Sequence, residues 1–325
     1  PTSVKTPTAK LNFTFVPAGT PTSLTIAKDT QFTSSVDGIS YTFVTNTTTS
    51  VPRSTTGTYT ATGVEIKEGK ILSKSYTVNS SDTTQRFIIP NVNVDTATLA
   101  VTVQNSSSDS TVFTYTDGNA VEVTTIKGTD KVYFLQEVED QKYEITFGDG
   151  AVGKQLSDGN IVFIEYIITS GTLANKANAF VASGSVAGLS SANYVLTLNT
   201  AATGGADIQT TESLKFLAPK LYQAQKRATT KDDYKAMLLE QRPDIESITV
   251  YGGEDADPVQ YGKVFVALKP TGSAAYSTAV KTSIKNDILK KSNVVTVIPE
   301  LIDPILYYLL IDTTCLLYTS PSPRD

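Results

Sequence analysis

Residues Ser23 to Thr45 read SLTIAKDTQFTSSVDGISYTFVT, and this run sets the fold class. Apolar and polar residues alternate on both sides of Asp37-Gly38. Alternation is the mark of a half-buried strand, and Asp-Gly supplies the positive φ angles of a tight hairpin turn. The neighbouring run LNFTFV (Leu11 to Val16) alternates in the same way. Strand-like runs then recur to about residue 198: GVEIKEGKILSKSYTV, RFIIP, ATLAVTVQN, TVFTYTDG, KVYFLQEV, KYEITFGDG and GNIVFIEYIITSG. Their spacing predicts a β-sandwich or barrel. The small-residue stretch ANKANAFVASGSVAG (Ala174 to Gly188) reads as extended chain crossing a surface, with YVLTLNT as one later strand.

From about Asp207 the pattern changes to α+β. Short helices are expected over Thr211–Leu217 and 219–226, on either side of Pro219. Thr230 and Asp233 have the spacing of a capping box. Tyr234, Met237, Leu238 and Gln241 follow at helical spacing, and Arg242-Pro243 ends that helix. ESITVYG and KVFVALKP are strands. Ser277 caps a helix carrying Val280, Ile284 and Ile288, and NVVTVIP and PILYYLLID are two more strands. The whole is therefore mainly β, followed by an α+β domain with helices on one face of its sheet.

Composition narrows the chemistry. The sequence has no histidine and one cysteine, Cys315. That cysteine opens CLLYTSPSPRD (Cys315 to Asp325), which reads as a translated sequencing-library adapter rather than natural protein. With it set aside, the usual triads, imidazole metal sites and thiolate chemistry have no residues to use. The absence of an initiator methionine and this tail lead us to expect a fragment continuing beyond Thr314. The net charge of −5, without a long Lys/Arg run, gives no nucleic-acid footprint, and no apolar stretch approaches the roughly 20 residues that span a bilayer.

Three motifs invite a functional reading. Gly148 to Lys154 has the G-x-x-x-x-G-K spacing of a phosphate loop, but Gln155 replaces the required Ser/Thr and a strand is expected next, not a helix. The alternative is a strand connection in which Gly148, Gly150, Gly153 and Gly159 permit tight turns. Gly252, Gly253 and Pro258 shape an acidic loop that could offer oxygen ligands to calcium, although its spacing is not that of an EF-hand. Glu137, Glu139, Asp140 and Glu144 gather near one hairpin and keep a carboxylate-based glycan hydrolase open as an alternative. Asn-x-Ser/Thr sequons at Asn12, Asn46, Asn79 and Asn105 are expected by chance in so Thr- and Ser-rich a chain.

Four strings in order resemble one family. They are Ser23–Thr45, Tyr143–Gly171 (continuing into Ala174-Asn175), APKLYQAQKRATTKDDY (Ala218–Tyr234) and VYGGEDADPVQYGKVFVALKP (Val250–Pro270). Together they resemble the baseplate wedge proteins of contractile-tailed bacteriophages, related to the baseplate J-like family. The resemblance implies a discontinuous first β domain (1–62 and 155–205), an inserted β domain (63–154) and an α+β domain (206–314), with 315–325 as the adapter artefact. It implies a structural virion protein without cofactor or metal. Such a protein would assemble in the bacterial cytoplasm, pair with itself, and join other wedge proteins into a ring around the tail hub that rearranges on sheath contraction. No nucleic-acid or membrane partner and no catalytic residue follow from it. A β-rich tail adhesin is the other alternative.

Overall fold

A computed structural model describes residues 3–121, 123–224, 227–242, 244–271, 273–294 and 296–307. The adapter-like tail lies outside them. The fold is mainly β, with barrel-like sheets followed by an α+β region, as the sequence predicts.

The first module begins with β1 (Thr8–Phe15), β2 (Ser23–Ile26), β3 (Gln31–Val36), β4 (Ile39–Thr45), β5 (Thr49–Pro52) and β6 (Tyr59–Glu68). The β3–β4 turn is made by Asp37 (φ 51°) and Gly38 (φ 81°), the two positive angles that a primed hairpin turn requires. Strand β1 alternates strictly and turns Ala9, Leu11, Phe13 and Phe15 inward. These pack with Phe32, Phe43, Tyr59 and Ile66 in one core, where the Phe13 and Phe15 rings stack at 5.6 Å. Strands β2 and β5 form a separate two-stranded ladder.

The chain then leaves this sheet. Strands β7 (Lys70–Thr77), β8 (Phe87–Ile89), β9 (Val94–Gln104), β10 (Val112–Asp117), β11 (Val132–Glu137), β12 (Tyr143–Phe147) and β13 (Ile161–Ile168) build a seven-stranded sheet in the order β7-β13-β9-β10-β11-β12-β8. Its core includes Ile89, Val101, Tyr115, Ile145, Ile164 and Tyr166. The run GVEIKEGKILSKSYTV therefore contributes one strand to each sheet, divided at Gly69. Strand β13 lies on the first-domain side of the expected boundary at 154/155, yet it pairs with β7 and β9 of the seven-stranded sheet. We propose module boundaries at Glu68/Gly69 and Ile168/Thr169, where sheet membership changes.

On its return the chain adds β14 (Val181–Ala182) beside β3 and β15 (Tyr194–Thr203) beside β1, which completes the order β14-β3-β4-β6-β1-β15. The stretch from Ala174 to Gly188 keeps many residues exposed, as expected of chain crossing a surface, but it also anchors in the first core. Ala174, Ala177, Phe180 and Val186 are buried in the first core, and Phe180 meets Phe43 edge to face. Small residues there allow close backbone packing, which polarity patterning cannot register.

The third module comprises α1 (Thr211–Ala224), α2 (Lys231–Gln241), β16 (Ile245–Gly252), β17 (Lys263–Pro270), α3 (Thr278–Ser283) and β18 (Ile298–Ile302). Helix α1 is continuous through Pro219, which replaces the two short helices expected. Pro219 is exposed, so water can satisfy the carbonyl that its missing N–H leaves free. Ser277 caps α3, which continues through a π-helical stretch over Ile284–Leu289. Ile284, Ile288 and Leu289 pack with Tyr234, Met237 and Leu238 of α2 against Val250, Val266 and Leu268 of the sheet. The strand expected over Asn293–Pro299 starts later, because Val297 N–H bonds back to Val294 and Asn293 bridges to Ala228. Strand β18 runs parallel to β17. Pro304 to Tyr307 form no strand, and the rest of PILYYLLID lies outside the described residues.

The two connections between the β modules run side by side. Gly69 has φ +119°, and a Cβ there would lie 2.0 Å from the Ile168 carbonyl oxygen. Gly69→Ala is expected to destabilise the chain by about 2–4 kcal/mol through combined strain and overlap, read as a fall in the urea midpoint.

Candidate functional site

The geometry concentrates buried polar contacts where the three modules meet. Glu68 is the last residue of β6, and it is buried. Its Oε2 accepts hydrogen bonds from Thr169 Oγ1 at 2.6 Å and from the Ser170 backbone N–H at 2.9 Å. One carboxylate thus holds both connections between the β modules. Lys28 adds an ion pair across the same boundary, with Glu165 of β13.

The segment Ser3–Thr6 works as an arm between modules. Ser3 Oγ lies 2.7 Å from Thr96 Oγ1, and Asp95 accepts the Thr6 N–H at 3.0 Å and the Lys5 ammonium at 3.3 Å. On the arm's other side, Lys5 exchanges backbone hydrogen bonds with Ala206. Asn175 then clasps Gly205, donating to its carbonyl at 2.9 Å and accepting its N–H at 3.0 Å. Asp207 accepts from both the Thr172 N–H and its hydroxyl. The linker into the third module is thereby tied to the first at three successive points.

Below this linker Arg242 makes a bidentate pair with Asp244, at 2.7 and 2.6 Å, and Tyr276 donates to the same carboxylate at 2.7 Å. Burial pulls the Arg242 guanidinium down, but the Asp244 carboxylate outweighs it and the net shift is upward. Burial, reinforced by Asp244, also pushes the Tyr276 phenol up. A cleft of about 460 Å³ lies here, lined by Lys5, Lys67, Asp95, Arg242, Asp244 and Tyr276 among others. Those charges already face partners: Lys5 with Asp95, Lys67 with Glu65, and Arg242 with Asp244. The cleft is a seam between modules, with most of its charge satisfied internally.

The loop resembling a phosphate site is closed on itself. Asp149 Oδ1 accepts the N–H groups of Ala151 and Val152, both at 2.9 Å, so a carboxylate occupies the position where backbone donors would meet phosphate. Gly150 N–H bonds to the Gly153 carbonyl, and a Cβ on Gly148 would lie 2.2 Å from that same carbonyl group. Gly159 (φ +77°) turns the chain between Ser157 and Asn160 into β13. From Lys154 the chain runs into β13 with no helix between them.

The carboxylates near the β11–β12 hairpin sit in different settings. Glu144 receives Arg86 through two bonds of 2.8 and 2.7 Å, and Gln136 at 3.1 Å. The Arg86 hydrogen bonds hold its carboxyl below the usual range. A glycosidase acid needs the opposite shift. Glu137 ends β11, and Glu139 and Asp140 form an exposed turn.

Thr230 and Asp233 form a reciprocal capping box at α2: the Thr230 hydroxyl accepts the Asp233 N–H, and Asp233 accepts the Thr230 N–H. In the acidic loop Asp255 pairs with Lys231 at 2.9 Å. The Glu254 carboxylate lies where a Gly252 Cβ would stand, and the backbone of Gly253 meets that of Gln260, leaving no room for a side chain at either glycine. Pro258 follows Asp257 across a cis bond. Among the described residues no cluster of three or more His, Cys, Asp or Glu could hold a metal, and no helix is long and apolar enough to cross a membrane.

Sequence reasoning missed Glu68, Asp95, Asn175 and Asp207. Each is a single polar residue with no motif around it, and its role exists only where distant segments meet.

Residues 230–302 match the family described as baseplate structural protein gp6, C-terminal domain I. The match runs from the N-cap of α2 to the last residue of β18 and leaves α1 outside. The chain is 27% identical over 206 residues to baseplate wedge protein gp6 of Enterobacteria phage T4. That alignment covers 57% of this chain and 30% of the relative's length. Among solved structures, the sixfold-symmetrised cryo-EM structure of the anti-feeding prophage baseplate aligns over 93% of this chain and 57% of its own, at 12% identity. Its TM-score of 0.29 is too low to carry an argument.

Two outcomes follow from the geometry. Asp95→Ala removes the acceptor for the Thr6 N–H, with an expected cost of about 2–4 kcal/mol. Hydrogen exchange should then quicken at Val4 to Thr6 while the β1 amides stay protected. Because the folded-state pKa of Glu144 is depressed, its pairing stabilises the fold above the carboxylate range and is lost as pH falls through it. In Glu144→Gln, part of the acid-induced loss of thermal stability should disappear.

Proposed function

We propose that this chain is a structural wedge subunit of a contractile-tail baseplate, acting through protein–protein contacts and not as an enzyme. The observation that carries the reading is the buried seam: polar contacts of Glu68, Asp95 and Asn175 tie the two β modules, the N-terminal arm and the linker to the third module. Such a seam suits a part that holds position and moves as a body. The match over residues 230–302 and the similarity to the phage T4 wedge protein support it independently.

In this role copies of the chain pair with one another and with other wedge proteins, and close a ring around the tail hub through heterologous contacts. The ring rearranges on sheath contraction by rigid-body movement. The chain resides in the virion tail baseplate after assembly in the bacterial cytoplasm. It requires no cofactor and engages neither nucleic acid nor membrane. Kinship with the simpler baseplate J-like proteins belongs to the same reading, as does the insertion of the seven-stranded module into the first.

Co-expression with the wedge proteins encoded beside its gene, followed by electron microscopy of the purified assemblies, tests the role. The expected outcome is a stoichiometric complex containing this chain in wedge-like or ring particles. Turnover of a glycan abolished by one carboxylate substitution, or a stable trimer that binds cell-surface sugar and enters no such complex, contradicts it.

A further inference from the structure

Strand β15 is the open edge of the six-stranded sheet. It runs for ten residues, YVLTLNTAAT, without a charged residue or a proline. Those are the features that commonly protect an edge, and they are missing here. Val195 is 60% exposed and Leu198 42%.

The direction of its backbone groups is fixed where its register with β1 is regular, from Tyr194 to Leu198. At one end the Asn193 carbonyl accepts from Val16 N–H, on the β1 side. In an antiparallel ladder successive residues alternate in direction, so Val195 and Thr197 also face β1 while Tyr194, Leu196 and Leu198 face outward. Beyond two register shifts against β1, between Leu198 and Thr200 and between Thr200 and Thr203, Ala202 donates to the Ala177 carbonyl at 2.8 Å and accepts from Lys176 N–H at 2.7 Å. The edge therefore already accepts extended chain at Ala202. From Tyr194 to Thr200 no described residue takes up the outward groups.

The open stretch is symmetric about Leu196. An antiparallel copy centred there sets Leu196 opposite Leu196 and Tyr194 opposite Leu198, so every outward N–H and C=O meets its complement. About six hydrogen bonds result. Apolar side chains meet apolar ones on one face, Val195 meets Thr197 on the other, and no like charges oppose. We propose that β15 is a self-pairing edge, through which two copies of this chain join their six-stranded sheets across a twofold axis at Leu196. The proposal rests on the self-association in the functional reading above only for its choice of a second copy as occupant; the register comes from the strand itself.

Sedimentation velocity of the 325-residue chain over a concentration series tests the pairing. Wild type is expected to show a monomer–dimer equilibrium. The double substitution Val195→Lys with Thr197→Lys places lysine opposite lysine at two exposed positions and is expected to weaken the dimer about tenfold or more. Register is tested in a Cys315→Ser background. Val195→Cys with Thr197→Cys should give an interchain disulfide on oxidation. Val195→Cys alone should not, because its symmetry mate is displaced by two residues along the strand and lies beyond bridging distance. A monomer at every concentration, a dimer indifferent to the lysines, or equal cross-linking by the single cysteine overturns the proposal. Entry of the lysine variant into wedge complexes distinguishes the two ideas. If the β15 dimer is absent while those complexes form, the edge proposal fails and the baseplate reading stands.

Discussion

The arrangement of this molecule depends on how a seven-stranded module is held when only two adjacent backbone connections join it to its host. Such a joint would ordinarily bend, because modules connected by short links move relative to one another unless their interface resists. Here the two connections lie against each other at Gly69 and Ile168, too close for any side chain at residue 69. Glu68 closes them by accepting hydrogen bonds from Thr169 and Ser170. A buried acid with no partner would be strongly destabilising. With two donors it becomes a directional fastener that tolerates little change in angle.

The same logic extends outward. The arm Ser3–Thr6 touches the inserted module through Asp95 and Thr96, and the linker to the third module through Ala206. Asn175 and Asp207 tie that linker to the returning chain. None of these contacts is strong alone, but they share a few consecutive residues and so must break together. In the proposed baseplate role this coupling lets a displacement at one module reach the others as movement of a body. The open edge of β15 lies on the same sheet as the joint.

Much of the fold was legible in the sequence because it rests on local signals. The Asp37-Gly38 turn, the alternation of β1, the Thr230–Asp233 capping box and the Ser277 cap each depend on a few neighbouring residues, and the structure has them where the pattern puts them. The errors fall where distant contacts decide. Ala174 to Val186 looked like surface chain alone because small residues carry little hydrophobic signal, yet Ala174, Ala177, Phe180 and Val186 pack into the first core. Pro219 looked like a break, but an exposed helix face accommodates it. The seam itself was invisible. Glu68 sits in GVEIKEGK beside another acid, and nothing nearby marks it as the residue that a segment a hundred positions away will meet. Conversely, the loop from Gly148 to Lys154 carried a familiar spacing, and only the position of the Asp149 carboxylate reveals a loop closed on itself.

The central claim is that the three modules form one body. Its most direct test is a pulsed electron–electron distance measurement between spin labels at Ser107, on a loop of the inserted module, and Lys290, in the third, with Cys315 replaced by Ser. A single narrow distance distribution, unchanged by moderate salt, is the predicted result. A broad or multimodal distribution in the otherwise unmodified chain contradicts it.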